Sequence, residues 1–91
     1  MCALDAGGLR EQLGRWARVG AGAAIERTPQ ELRLRLEKSV VADARAAVAV
    51  ERECCPFFRI DLDERTRTLT IGVSEAEQRP ALDAIAEALR R

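Results

Sequence analysis

The chain has 91 residues, 47% apolar and 33% charged, which is enough for one small domain over residues 1–91 and too few for a second. Its fifteen basic and fifteen acidic side chains cancel, so composition argues against nucleic acid or a membrane as the partner and favours a small ligand. Histidine is absent, which excludes catalysis by an imidazole base and metal sites that need one.

The three cysteines are predicted to act as thiols. Residues 1–8 lack the basic start and apolar run of a secretory signal, and no stretch approaches the roughly 20 apolar residues of a membrane span, so we expect a cytoplasmic protein. Because that compartment is reducing, an odd number of cysteines in so short a chain indicates thiol chemistry or metal ligation rather than a disulfide framework.

The N-terminal part predicts an amphipathic helix. Leu9, Leu13 and Trp16 recur at helical spacing, and Asp5 is a suitable N-cap, so the helix is expected to run to about Arg18. Trp16 is expected in the core.

A strand and a second helix are expected next. After a loop containing Thr28-Pro29, leucine alternates with arginine over residues 31–37, which predicts a strand with one buried face. Ser39 is expected to cap a helix from about Val40 to Cys54. Pro56 ends this helix, because the residue before a proline is disfavoured in helical conformation.

The last part of the chain predicts a β-hairpin and a third helix. Apolar residues alternate with polar ones on both sides of a polar turn over residues 63–67, namely Phe58, Ile60, Leu62, Leu69, Ile71 and Val73. Ser74 and Glu77 have the form of a capping box. Because a proline deep inside a helix would break it, we expect either a turn over residues 75–78 with the helix proper beginning near Pro80, or a kink.

These elements predict an α+β fold in the order α-β-α-β-β-α. A strand, a crossover helix and a second strand should form a right-handed unit, and the hairpin should add a third strand. The expected architecture is a small three-stranded sheet with the helices packed on one face.

One segment concentrates the residue types that are rare in this chain. Glu51–Phe58 contains two of the three cysteines, both phenylalanines and one of the three prolines. The adjacent thiols Cys54 and Cys55 are candidate ligands for a soft metal ion such as mercury, copper(I), cadmium or zinc. The competing interpretation is that both are small hydrophobic residues buried at a helix end.

Glu51 is the candidate third member of this site. It precedes Cys54 by three residues and Cys55 by four, a spacing that places the side chains on one helical face. Its carboxylate is expected to complete a metal site or to accept a thiol proton; the alternative is a surface residue paired with Arg52 or Arg59. No catalytic residue and no organic cofactor are indicated, so a binding protein is favoured over an enzyme.

The position of the thiols favours metal capture over redox catalysis. Thioredoxin-type enzymes place the reactive cysteine at a helix N-terminus, where the dipole stabilises the thiolate. Cys54 and Cys55 follow a C-terminus, so we expect ordinary thiols that a bound metal would deprotonate. Of the two phenylalanines, one is expected to enter the core and one to face the thiols or a partner, and Cys2 is left outside the site.

The stretch Val48–Ile60 carries the sequence Val-Ala-Val-Glu-Arg-Glu-Cys-Cys-Pro-Phe-Phe-Arg-Ile. It resembles a group of small uncharacterised bacterial proteins that share a Glu-x-x-Cys-Cys-Pro-Phe signature, some of them associated with MerR-type and heavy-metal resistance genes. The residues that match the signature are Glu51, Cys54, Cys55, Pro56 and Phe57. The resemblance implies heavy-metal binding.

The leading hypothesis is therefore a cytoplasmic protein that binds a soft metal ion through Cys54, Cys55 and Glu51. A second hypothesis is a thiol enzyme or redox sensor, in which Arg52 and Arg59 lower a thiol pKa. A third is a structural module with packed cysteines that forms a homodimer through a sheet edge or an apolar helix face. A homodimer is also compatible with metal binding, because two thiols and a carboxylate leave a tetrahedral site incomplete.

Overall fold

The structure is a computed structural model that describes residues 5–91, and it confirms the α+β class. Its helices and strands are α1 (Ala6–Gly20), β1 (Ile25–Thr28), β2 (Glu31–Arg35), α2 (Val41–Cys54), β3 (Arg59–Asp63), β4 (Thr68–Gly72) and α3 (Arg79–Leu89). Short 3-10 turns precede α2 and α3. The sheet within this part of the chain has four strands, one more than the sequence predicts.

The strands lie in the order β1-β2-β4-β3, and every neighbouring pair is antiparallel. Because β4 is antiparallel to both β2 and β3, those two strands run in the same direction with β4 between them. The helix α2 is thus the crossover of a split β-α-β unit. The predicted hairpin of β3 and β4 is confirmed, but its second strand is inserted beside β2 instead of being added at the edge.

The strand absent from the sequence prediction is β1, which falls in the segment assigned to a loop. It forms a hairpin with β2 and has only one apolar residue, Ile25, so it lacks visible alternation. The second inward-facing position is Arg27, whose guanidinium pairs with Asp83 of α3. An edge strand that places an arginine against a neighbouring helix has no hydrophobic pattern by which to recognise it.

The helix α1 begins as predicted. The Asp5 carboxylate accepts a hydrogen bond from the Gly8 backbone N–H at 2.7 Å. At the other end, Gly20 closely approaches α3: a Cβ atom at this position would overlap the backbone carbonyl of Leu89. Glycine is therefore required where α1 crosses the end of α3.

The predicted caps of the other two helices are wrong, although the helices themselves are confirmed. Ser39 lies inside a 3-10 turn, and α2 begins at Val41 without a side-chain cap. The capping box before α3 is formed by Glu75 and Gln78, one residue later than predicted. Its 3-10 turn leads into α3 with Pro80 in the first turn, where the missing N–H costs nothing.

The three helices cover one face of the sheet. Leucine and isoleucine side chains of β2 and β4 lie beneath them and are fully buried, together with Trp16, Leu82 and Leu89. The opposite face carries the charged residues of β2 and β3 and is open. No helix within residues 5–91 has the length and apolar character needed to cross a membrane.

The outer edge of β3 is contacted from α2. Arg52, in the last turn of that helix, donates a hydrogen bond from Nη2 to the backbone carbonyl of Ile60 at 3.0 Å. This bond ties the end of α2 to the strand that follows it.

Candidate functional site

The candidate residues lie where α2 ends and the chain turns toward β3. Glu51 is in the last turn of α2, Cys54 is its final residue, and Cys55 is the C-cap. The Cys55 N–H donates to the Glu51 carbonyl at 2.7 Å, and the Cys55 carbonyl accepts from Phe58 N–H at 3.1 Å. The prediction that Pro56 ends the helix is confirmed.

Glu51 is buried, with 7% of its surface exposed, and is not the surface residue of the alternative interpretation. Its Oε1 accepts hydrogen bonds from Gln12 Nε2 at 3.1 Å and from Trp16 Nε1 at 3.3 Å. Both donors come from α1. A carboxylate can be held in an apolar core when its oxygens are hydrogen-bonded in this way.

Gln12 joins the two helices around this carboxylate. It is 1% exposed, and its Nε2 also donates to the Ala47 carbonyl of α2 at 2.9 Å. Its Oε1 accepts from Arg15 Nη1 at 3.1 Å, and Arg15 in turn pairs with Glu11 at 2.6 Å. Both the nitrogen and the oxygen of the buried glutamine amide therefore have hydrogen-bond partners.

Cys55 and Glu51 line a cavity of about 170 Å³ between α1, α3 and the end of α2. The other lining residues are mainly apolar: Leu9, Gln12, Leu13, Trp16, Phe58, Ala81, Ala84 and Ile85. Leu9 stands at the rim and is 48% exposed. A largely apolar cavity with a few convergent polar groups is the usual form of a small-ligand site.

The Cys55 thiol is free, and its pKa is raised above the ordinary value. Burial is the largest cause, followed by the negative charge of Glu51 and a hydrogen bond between the two side chains. All three favour the protonated thiol. The raised pKa of Cys55 has the direction expected of an unactivated thiol, but its causes are burial and the acidic neighbour rather than the helix dipole.

The arginines of the redox hypothesis are engaged elsewhere. Arg52 donates to the Ile60 carbonyl, and Arg59 donates from Nη2 to the Val73 carbonyl at 3.2 Å. Neither is among the causes of the shift in the pKa of Cys55, so neither of these two arginines activates this thiol.

The structure brings Glu51 and Cys55 together but does not place Cys54 in the lining of the cavity. Cys54 is half-buried at the helix end, and Cys2 falls outside the described residues. Between Asp5 and Arg91, no group of three or more Cys, Asp or Glu side chains is close enough to hold a metal ion. The donors that are already together are one thiol and one carboxylate.

The two phenylalanines differ as predicted in burial. Phe58 is buried and forms part of the cavity wall beside Cys55, while Phe57 is half-buried at the edge of the core. Their ring centroids are 4.6 Å apart with an interplanar angle of 41°. Phe58 therefore both packs in the core and faces the site.

Sequence reasoning missed Gln12 and the polar role of Trp16. A signal was present, because Gln12 precedes Trp16 by four residues and so lies on the apolar face of α1. A glutamine on such a face needs a buried partner, and Glu51 provides it.

The site combines a thiol whose pKa is raised with a hydrogen-bonded carboxylate at the wall of a largely apolar cavity. Such a thiol reacts with a soft electrophile once its proton is lost. The resemblance to the Glu-x-x-Cys-Cys-Pro-Phe proteins remains a prediction. Comparison of the chain with protein families, with curated proteins and with solved structures finds no match.

Proposed function

We propose that this protein binds a soft metal ion at Cys55, with Glu51 as ligand or proton acceptor and Cys54 as a second sulphur donor in the reduced protein. The observation that carries the proposal is that the Cys55 thiol and the buried Glu51 carboxylate line the same largely apolar cavity. A thiolate sulphur selects soft ions over magnesium or calcium.

The number of donors favours mercury or copper(I) over zinc and cadmium. Structural zinc sites use four protein ligands in a tetrahedron, and the described residues do not bring three acidic or thiol groups together. Mercury(II) and copper(I) are stable with two ligands in a line, which a small donor set can provide. The apolar wall then shields the metal–sulphur bond from water.

Binding replaces the thiol proton with the metal. The S–H bond of Cys55 breaks, a sulphur–metal bond forms, and the proton passes to Glu51 or to water. Because the pKa of Cys55 is raised, protons compete with the metal and affinity should increase with pH. A reducing compartment such as the cytoplasm would keep both Cys54 and Cys55 available as thiols.

The test is a metal titration in a Cys2→Ser background, so that the remaining thiols are those at 54 and 55. Reduced, desalted protein is titrated with mercury(II), and in parallel with copper(I) and zinc, and the stoichiometry is measured by native mass spectrometry. We expect one tightly bound mercury or copper(I) ion per chain. Cys55→Ser should abolish tight binding, and Cys54→Ser should weaken it.

Two controls make this result interpretable. Circular dichroism shows that each variant folds, and X-ray absorption of the loaded protein counts sulphur and oxygen neighbours. An oxygen neighbour that disappears in Glu51→Gln identifies Glu51 as a ligand; its absence in both proteins assigns Glu51 to proton transfer. Unchanged mercury affinity in a folded double variant, Cys54→Ser with Cys55→Ser, would overturn the proposal.

A further inference from the structure

The open face of the sheet carries a charge pattern that the site does not use. The outward side chains of β2, β4 and β3 lie in three cross-strand rows: Glu31, Gly72 and Arg59; Arg33, Thr70 and Asp61; Arg35, Thr68 and Asp63. All six charged side chains are at least partly exposed. In every row the residues on β2 and β3 have opposite charges.

These opposite charges are kept apart within one chain. The central strand β4 lies between them, so the two members of a row are two strand spacings apart, roughly 10 Å. The ion pair that forms on this face joins Arg33 to Glu31 along the same strand at 3.6 Å. Arg59 lies across Gly72 of β4, where its Nη2 donates to the Val73 carbonyl at 3.2 Å, and none of the ion pairs among the described residues joins β2 to β3.

We propose that a second copy of this chain stacks on the open face, related by a two-fold axis that runs along β4. Such an axis keeps each row at its own level and places β2 of one copy over β3 of the other. Glu31 then meets Arg59 of the second copy, Arg33 meets Asp61, and Arg35 meets Asp63. Each pair forms twice, because the interface of a two-fold dimer is self-complementary.

The residues on the axis allow this approach. In this dimer, the residues of β4 that face the same residues of the second copy are Gly72, Thr70 and Thr68, which are small and uncharged. A depression of about 160 Å³ surrounds Gly72, with Arg59 and Thr70 in its lining. Stacked sheets lie about 10 Å apart, a gap that an arginine and an aspartate side chain span together.

The shape of the sheet fits the same axis. Successive strands in a sheet are rotated relative to one another, so the sheet is twisted. When a two-fold axis along the central strand relates two such sheets, each strand of one sheet lies over a strand of the other that is tilted in the same direction. The copies can therefore remain in contact from β2 to β3. The edge strand β1, with its Glu26, lies beyond the partner's β3 and opposes no charge.

Other two-fold arrangements of this face bring like charges together. An axis between β2 and β4 would place Glu26 over Asp61, since these residues share the central row. A two-fold axis perpendicular to the strands at Thr70 would place Arg33 over Arg33 of the second copy, and Asp61 over Asp61 of the second copy. The charge pattern thus selects the axis along β4.

The experiment is analytical ultracentrifugation of the full chain under reducing conditions at low and high salt. We expect a monomer–dimer equilibrium that shifts toward monomer as salt screens the pairs. Arg33→Glu places like charges opposite Asp61, and Asp61→Arg places them opposite Arg33. Each variant alone should raise the dimer dissociation constant by about 100-fold.

Mixing the two variants gives the decisive result. A glutamate at 33 of one chain faces an arginine at 61 of the other, and the second pair is native, so the mixture should form a heterodimer although neither variant dimerises alone. The variant with both changes should dimerise again. Far-UV circular dichroism monitors folding, and this restored dimer keeps the test valid if one single variant is unstable.

Matched controls are Arg10→Glu on α1 and Glu87→Arg on α3, which make the same changes in net charge on the helical side of the molecule. They should leave the dissociation constant unchanged. A native chain that stays monomeric at low salt would overturn the proposal. So would a dimer that survives both single charge reversals, because it would use another surface.

Discussion

Charged residues lie in different environments on the two faces of the sheet. On the covered face, the one carboxylate in the described core, Glu51, is held by donors from α1 and lines the same cavity as the Cys55 thiol. On the open face, all six charged side chains are at least partly exposed, and their contacts are the Glu31–Arg33 ion pair and hydrogen bonds of Arg59 and Asp63 to nearby backbone groups. A charge beneath the helices is therefore fixed in position and changes the chemistry of its neighbour, whereas a charge on the open face remains available to a partner.

The largest effect on stability is expected at Gly20, where the backbones of α1 and α3 lie close together. Gly20→Ala adds a Cβ that overlaps the Leu89 carbonyl, so the backbones of α1 and α3 must separate. We expect a loss of about 3 kcal/mol in the free energy of unfolding, measured by urea denaturation. Gly14→Ala is the matched control in the same helix, since its Cβ would meet no atom closer than 3.6 Å.

Gly14→Ala should raise stability by about 0.5–1 kcal/mol, because alanine has a higher helix propensity than glycine. Equal effects of the two substitutions, or stabilisation by both, would contradict the close approach of α1 and α3.

A second prediction compares carboxylates on the two faces. Glu51→Ala removes the acceptor of the Trp16 indole N–H inside the core, and we expect it to lower the free energy of unfolding by about 2 kcal/mol. Glu51→Gln retains an oxygen that can accept this bond, so its cost should be less than about 1 kcal/mol. On the open face, Glu26→Ala should change stability by no more than about 0.5 kcal/mol.

Chemical denaturation of all three variants in high salt measures this difference without a contribution from association. If the Glu51 and Glu26 substitutions to alanine cost the same, Glu51 is not held as described.

The smallest effect concerns the pKa of Cys55. In the folded protein this pKa lies above its unfolded value, about 8.5, so the protonated thiol stabilises the fold. The stabilisation is fully present below the unfolded pKa and is lost as pH rises through the folded pKa. The free energy of unfolding should therefore fall over that range, and it should fall less in Cys55→Ser.

Glu51→Gln tests the cause of the shift. Removal of the negative charge should lower the pKa of Cys55 and speed its alkylation at neutral pH, measured by the pH dependence of the rate with iodoacetamide. An alkylation profile identical to that of the native protein would mean that burial alone raises this pKa.

Much of the fold could be predicted because its signals are local. The alternation of leucine and arginine marks β2, and Pro56 marks the end of α2. By contrast, β1 could not be recognised, because Arg27 occupies an inward position and its partner Asp83 lies 56 residues away. The insertion of β4 between β2 and β3 also depends on long-range pairing that no local pattern specifies.

The candidate site was only partly predictable for the same reason. Spacing placed Glu51 and Cys55 on one side of α2, and the structure brings these two side chains together. The burial of Glu51 depends on Gln12 and Trp16, which are 39 and 35 residues away in the sequence. Packing between α1 and α2, rather than any motif, turns this glutamate into a fixed acceptor.

The bond from Arg52 to the Ile60 carbonyl has a consequence for how this protein avoids fibre formation. A chain that added a strand to the outer edge of β3 would need that carbonyl as an acceptor and would have to displace a guanidinium already bound to it. Positively charged side chains at sheet edges oppose the uncontrolled addition of strands. Growth of the sheet sideways is thereby hindered at this edge.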